Sequence, residues 1–223
     1  MTDTEKQAVL PRNFVRALYI SAAVVLVDQA TKLLVKGFSL PFLNFNHVGL
    51  EPGTSIQILG DALRLTFIEN PGMAFGIELG SGLYLALFSL IASAGIFYYL
   101  YRVRDQSFVV RASLALILGG AIGNLIDRVF YGVLFGNGTL FHGKVVDFVD
   151  VNVLHLSQFG IFNVADAAVT TGVVMLLLVH RHLDIEPEPA ADSTRGFEGP
   201  ASGHGNRSSE TKAISEKSEL EIL

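Results

Sequence analysis

The sequence predicts a small polytopic membrane protein of the all-α class, with four spanning helices and a small sheet at one membrane face. Three observations predict it. Half of the 223 residues are hydrophobic and the mean hydropathy is +0.46, too apolar for an ordinary soluble domain. Four apolar segments, approaching the ~20 residues that a bilayer requires, alternate with turn-rich polar stretches. The arginines gather at one set of helix ends.

Residues 1–13 are polar and are expected to be a disordered cytoplasmic N-terminus. The membrane domain is expected over 14–183. Residues 14–35 form the first predicted span, apolar through Val27 and then carrying Asp28, Thr31 and Lys32. This run has no small-residue cleavage site and goes straight to Asp28 and Lys32, so it does not read as a cleavable signal peptide. Residues 37–82 form a long loop broken by Pro41, Pro52, Gly53 and Gly60, with a strand pattern over 64–68; a small sheet against the membrane is expected there. The second span covers 83–100, followed by Arg102, Arg104 and Arg111. The third, 112–126, is short and contains Gly119, Gly120 and Gly123, small residues that let helix backbones approach. A second long loop covers 131–160, and Gly136-Asn137-Gly138 within it predicts a hairpin. The fourth span is predicted over 161–179. Residues 184–223, rich in Pro, Glu, Ser and Gly, are expected to be a disordered acidic cytoplasmic tail.

Charge and composition exclude several functions. From residue 184 onward nine acids face four bases, which accounts for the whole formal net charge of −5. No basic field for nucleic acid remains. The absence of cysteine excludes disulfides, thiol nucleophiles and cysteine metal sites. Arg12, Arg16, Arg102, Arg104, Arg111 and Arg181 fall on one side, so both termini are expected in the cytoplasm and the loops 37–82 and 131–160 outside. Asp28, Lys32, Asn70, Asn124, Arg128, Asp147 and Asp166 then all collect toward the outer face.

The stretch 144–172 holds the strongest candidates. Asp147 lies between Val146 and Phe148, and Asp166 opens the fourth apolar run. A carboxylate at the mouth of a membrane helix is costly and marks function by default, and two that converge can share a proton. With a helix starting near Gly160, Asp166 would lie about 9 Å below its start, with Asn163 on the same face three residues earlier. Bland readings stand beside these. Asp166 also reads as a helix-start acid stabilised by the macrodipole, and Asp147 as a turn residue or a salt-bridge partner of Arg128 or Lys144. Asp150 and Asp127 are rival acids, Asp127 reading more readily as an ion-pair member. Asp28 and Lys32, at i and i+4, read as an intrahelical pair. The run 70–76 reads as a turn with small residues, either plain loop or a close approach to an extended peptide. Other classes fit the same polar residues: a proton-coupled small-solute transporter, or a structural membrane subunit.

Five blocks in order carry a specific resemblance: DQATK (28–32), ENPGMAFG (69–76), GGAIGNLIDR (119–128), VVDF (145–148) and FNVAD (162–166). Together they resemble lipoprotein signal peptidase, or signal peptidase II, a family of bacterial membrane aspartyl proteases. The resemblance implies a four-transmembrane-helix bundle with an extracytoplasmic β cradle and a short periplasmic helix, in the cytoplasmic (inner) membrane. It makes Asp147 and Asp166 the catalytic pair and gives Asp28, Lys32, Asn70, Gly72, Ala74, Asn124, Arg128, Asn163 and Ala165 supporting or substrate-contacting roles. It implies cleavage of a diacylglyceryl-modified prolipoprotein before its lipidated cysteine, without metal or cofactor, by an enzyme surrounded by membrane lipids and expected to be a monomer. The chain departs from the family pattern in a longer interval between Arg128 and Asp147, in an extended outward loop over 44–61, and in Met73 where a smaller residue is common.

Overall fold

The computed structural model describes residues 10–74, 77–78, 82–136, 138–152 and 160–183. The expectations for residues 1–9 and for the tail 184–223 lie outside them. Four long helices are present: α1 (Arg12–Lys36), α2 (Gly82–Arg102), α3 (Phe108–Ile126) and α5 (Val164–Leu183). The first three are long and apolar enough to cross a membrane, α3 with its extension to Leu134; the apolar part of α5, Val164–Val179, is shorter. Helix α3 is central and packs against α1, α2 and α5.

Beside a buried cluster of Phe14, Leu100, Leu114 and Leu118, the helices carry many large apolar side chains on their outer faces and small ones at their seams. Tyr19, Leu26, Phe88 and Ile91 face outward, each about 70% exposed, whereas Ser21, Ser113, Ala17, Ala115 and Ala165 are buried. Lipid tails solvate leucine as well as another helix does, so association rests on close backbone contact and interhelical hydrogen bonds. Ser21 Oγ donates to the Ala115 carbonyl at 2.8 Å. The expected glycines lie at these seams. A Cβ on Gly119 would meet the Ser21 carbonyl at 2.8 Å, and one on Gly120 would collide with the Ala165 carbonyl.

Eight short strands stand beside the helices among the described residues, a larger share of β-structure than an all-α description conveys. Strands β1 (Gly37–Leu40) and β2 (Phe45–Val48) form a hairpin, and β5 (Met73–Ala74) pairs β6 (Ile77–Glu78). The main sheet is antiparallel, in the order β3 (Ser55–Leu59), β4 (Leu63–Asn70), β7 (Val145–Val151), β8 (Ile161–Phe162). Strand β4 contains the 64–68 segment predicted as a strand. The sheet is fastened to the helices by one apolar cluster: Val35 from α1, Phe67 from β4, Tyr131, and Val146 and Phe148 from β7.

Two local expectations are corrected. The hairpin around 136–138 does not form among the described residues there (Asn137 lies outside them). Instead the chain leaves α3 through a π-helical segment, Asp127–Tyr131, and a short helix α4 (Gly132–Leu134), then folds back. Phe141 and Gly143 donate to the carbonyls of Val129 and Arg128, both at 3.0 Å. The long interval is thus tied at its base, which is why its length does not displace β7. The fourth helix starts at Val164 and not near Gly160, because Ile161–Phe162 pairs with Val149 and Asp150 in the sheet. Beyond these helices and a 3-10 turn at Pro41–Leu43, the short outer helix has no counterpart among the described residues; 153–159 lie outside them.

The seams make a stability prediction. Gly120→Ala places a Cβ against backbone and should cost about 1–3 kcal/mol. Gly95→Ala, where nothing lies within 4 Å of an added Cβ, should cost nothing. Thermal unfolding of both variants in detergent checks this; equal melting temperatures would show that the seam tolerates the methyl group.

Candidate active site

Asp147 is the third residue of β7, so pleat alternation and the apolar cluster fix its direction. It is 2% exposed. Its Oδ1 accepts from Asn163 Nδ2 at 2.7 Å and its Oδ2 from Asn70 Nδ2 at 3.1 Å. The bland readings of Asp147 as a turn residue or a salt-bridge partner do not describe this environment. Burial, then the charge of Asp166, push its carboxyl up to about 7 from an ordinary 3.8, against the lowering effect of the Asn70 and Asn163 hydrogen bonds and of Lys32.

Asp166 lies in the first turn of α5, shallower than the six residues expected, because the helix begins four residues later. Asn163 precedes the helix and forms a reciprocal cap with it. The Asp166 N–H donates to Asn163 Oδ1 at 3.0 Å, and the Asn163 N–H donates to Asp166 Oδ2 at 3.2 Å. The other Asp166 oxygen accepts from Asn124 Nδ2 at 2.8 Å. Asn163 therefore touches both acids, one with its side-chain amide and the other with its backbone. Asp166 does stand in the first turn of the helix, as its bland reading has it, and the cap also links it through Asn163 to Asp147.

Three asparagines thus supply four N–H donors to two carboxylates. Amides bind a carboxylate without supplying a compensating positive charge. Arg128, in the π-helical segment, acts electrostatically on Asp147, Asp166 and Asp127. Asn70 is set by an Asx turn: its Oδ1 accepts from the Gly72 N–H at 2.9 Å. Gly72 has φ +111°, and a Cβ there would strike Leu85. Ala74 lies two residues on, in β5.

Beneath the pair is a second cluster. Lys32 is fully buried and contacts Asp28 Oδ2, Asp127 Oδ2 and Asn124 Oδ1, each at 2.8 Å. The simple intrahelical reading of Asp28 and Lys32 is therefore too small, since the cluster also draws in α3 and the sheet. The two carboxylates hold the backbone beside each site acid. Asp127 Oδ2 accepts from the Val146 N–H at 3.2 Å, and Asp28 Oδ1 accepts from the Ala165 N–H at 2.9 Å. Ala165 is fully buried. A Cβ on Gly123 would approach Asp28 Oδ2 at 2.6 Å and the Ala165 methyl at 3.3 Å, so glycine is what lets α3 reach this point.

Of the rival acids, Asp127 is an ion-pair member as expected, with Lys32 as partner. Asp150 is held by Arg64 Nε and Thr66 Oγ1, each at 3.0 Å. The sequence reading missed Gln29 and Tyr131. Gln29 Nε2 donates to Asp127 Oδ1 at 2.9 Å and to the Gly123 carbonyl at 3.1 Å, and Tyr131 donates to Gln29 Oε1 at 3.1 Å. A glutamine in the far half of an apolar helix is the signal that could have found the first; Tyr131 carried none.

Comparison with known proteins agrees with this network. A family model described as signal peptidase (SPase) II matches residues 20–181, which contain every residue of the site. The chain belongs to the signal peptidase II family. It is therefore a membrane protease. Named lipoprotein signal peptidases are similar along most of their length. That of Porphyromonas gingivalis is 34% identical, with 77% of this chain and 84% of the relative covered. That of Halalkalibacterium halodurans is 39% identical, with 71% and 87% covered. A solved structure described as a bacterial membrane enzyme, determined in meso at 1.9 Å, superposes with a TM-score of 0.58 at 27% identity, covering 74% of this chain and 92% of that one. Family membership replaces the transporter and structural-subunit readings.

The lower cluster is testable apart from activity. Lys32→Met leaves two buried carboxylates facing each other and should cost about 3–5 kcal/mol. Denaturant unfolding in detergent measures it; a variant as stable as the parent would show that Lys32 does not hold the cluster together.

Proposed function

We propose that this protein is an aspartyl endopeptidase in which Asp147 and Asp166 activate water to remove the signal peptide from a prolipoprotein. The observation that carries this is the shared asparagine. Asn163 bonds Asp147 with its amide and Asp166 with its backbone, holding two acids in one polar pocket at the end of apolar helices. Two carboxylates so held do not both ionise cheaply, so the pair shares one proton near neutrality. The rise of the Asp147 carboxyl to about 7 supports this.

The ionised member takes a proton from water as the oxygen attacks the scissile carbonyl carbon. The protonated member gives its proton to the carbonyl oxygen, forming a neutral gem-diol. In collapse the carbon–nitrogen bond breaks, the amine nitrogen gains a proton, and the carboxylic acid product leaves. Asn70, on the Asx turn, and Asn124 hold the outer oxygens of the two acids and so leave the space between them for water and peptide. Arg128 offsets the growing negative charge. Gly72 and Ala74 flank the turn as a smooth rail for an extended backbone.

The substrate class follows from the site's place in the chain. Relatives along most of the length are named lipoprotein signal peptidases. A site in the first turn of α5 and the sheet beside it suits a peptide whose diacylglyceryl group stays in the bilayer, with cleavage just before the lipid-bearing cysteine. The four long helices act as a transmembrane bundle, with α5 as its fourth member and the sheet as an outer cradle. Arginines at the start of α1, the end of α2 and the start of α3 support a topology with both termini in the cytoplasm and the acids toward the periplasmic side of the inner membrane.

Asp147→Asn and Asp166→Asn should each lower release of signal peptide from a lipid-modified precursor by about 10³-fold or more. Parental turnover by either variant would refute the pair. Stability gives a second reading. A carboxyl whose folded pKa is raised binds its proton more tightly when folded. Its stabilising contribution is complete below the ordinary value of 3.8 and is lost as pH rises to about 7. Asp147→Asn should therefore unfold at higher temperature than the parent at pH 8, with a flatter pH dependence between about 4 and 7. A variant less stable than the parent at pH 8 would contradict the assigned burial cost.

A further inference from the structure

A third charged group lies beside the site and takes no part in the chemistry above. Glu69 immediately precedes Asn70 at the end of β4. Its Oε1 pairs with Lys36, the last residue of α1, and its Oε2 lies 3.5 Å from Lys144, the residue before β7. The Lys36 ammonium also sits over the Phe135 ring, 4.5 Å from its centroid, and 5.8 Å from that of Phe67. The Glu69 and Lys36 side chains are 18% and 10% exposed, so water competes weakly for this pair, whereas Lys144 is half exposed. Burial alone would raise the Glu69 carboxyl, but the two lysines outweigh it and hold it below its ordinary range, so it stays ionised at neutral pH.

The register of the sheet shows what the clasp holds. Strands β4 and β7 pair regularly from Leu63 to Leu65, opposite Val151 to Val149, and then the register shifts. Past the shift three pairs remain: Ile68 with Asp147, Glu69 with Val146, and Asn70 with Val145. A bulge breaks the continuity that would otherwise transmit register along a ladder. The last three pairs must therefore be fixed by something else, and a slip of one residue would turn Asn70 to the opposite face. Glu69 lies in the middle of these three pairs. It is tied across the strand to the base of β7 and down to α1, which also carries Lys32.

We propose that Glu69, clasped by Lys36 and Lys144, is a positioning residue that locks the register of β4 against β7 and so aims the Asn70 amide at Asp147. The proposal rests on the aspartate pair as the reacting group. Glu69 acts through Asn70 and touches neither acid. Its consequence is a proton affinity: with Asn70 misdirected, Asp147 loses a donor that favours its ionised form. The other groups facing Asp147 are Asp166 and Asn163 from α5 and its cap, Lys32 from α1 and Arg128 from the π-helical segment, and they are unchanged.

The test uses the full chain in detergent with a lipid-modified precursor. Glu69→Gln keeps the shape and removes the charge. We expect kcat to fall roughly 10-fold with KM little changed, and both apparent pKa values of the bell-shaped profile to move to higher pH. Lys144→Gln, at a half-exposed lysine, preserves folding should Glu69→Gln not accumulate, and should give a smaller change in the same direction. Raising salt screens the exposed arm, so it should carry the parent toward the Lys144→Gln profile and leave that variant unmoved. Parental kcat and an unshifted pH profile in both variants would overturn the clasp, as would a loss of melting temperature with the profile in place. If Asp147→Asn is inactive while the Glu69 and Lys144 variants are normal, the clasp alone fails; if Asp147→Asn is active, the pair itself fails.

Discussion

One buried ammonium organises this molecule. Lys32 spends its three N–H donors on Asp28, Asp127 and Asn124, at 2.8 Å each, with no exposure to solvent. A charge in that setting persists only with its partners complete, because an unpaired buried ion costs several kcal/mol. The partners come from α1, the end of α3 and the segment that follows it, and the two carboxylates also reach the backbone of β7 and α5, Asp127 with the same oxygen that meets Lys32 and Asp28 with its other one. Asp127 holds the amide before Asp147 and Asp28 holds the amide before Asp166. The spacing of the two acids is thus set by a single ion cluster one layer below them, and movement of either acid would leave a donor or a charge unmatched.

The architecture follows from what a membrane permits. Helices alone satisfy their backbones inside the bilayer, but a helix mouth leaves free amides and carbonyls that need partners. Here a four-stranded sheet meets the helix ends through Val35, Phe67, Tyr131, Val146 and Phe148. Strand β8 runs into α5 through Asn163, whose side chain caps the helix and reaches Asp147. One residue thereby ends a strand, starts a helix and joins two acids. The polar network extends between α1, α3 and α5 through residues buried at the helix seams.

The same layout accommodates the long interval between Arg128 and Asp147. The long interval after Arg128 is closed at its base by two backbone hydrogen bonds to the π-helical segment, so added length costs little. Its residue Phe135 returns to cover Lys36. An insertion that looked like a separate hairpin is thus part of the wall behind the sheet.

Much of this was legible in the sequence. Hydropathy and length gave the helices, the glycines at 119, 120 and 123 marked the seams, and five short blocks named the family. These are local signals: a run of apolar residues or a glycine is written in consecutive positions. The sequence left Asp127, Asp147, Asp150 and Asp166 in competition, since an aspartate's environment is built from residues far along the chain. Asp150 was settled by Arg64 and Thr66, Asp127 by Lys32, and Asp147 by Asn70 and Asn163. Periodicity also misplaced the start of α5, because Ile161 and Phe162 are as apolar as a helix requires and only pairing with β7 claims them for the sheet. The sequence by itself determined which segments are apolar helices and which polar residue types stand at their ends. Only the tertiary structure decided which carboxylates are paired with cations and which are held by neutral amides, because such pairing depends on distances between elements that sequence order does not encode.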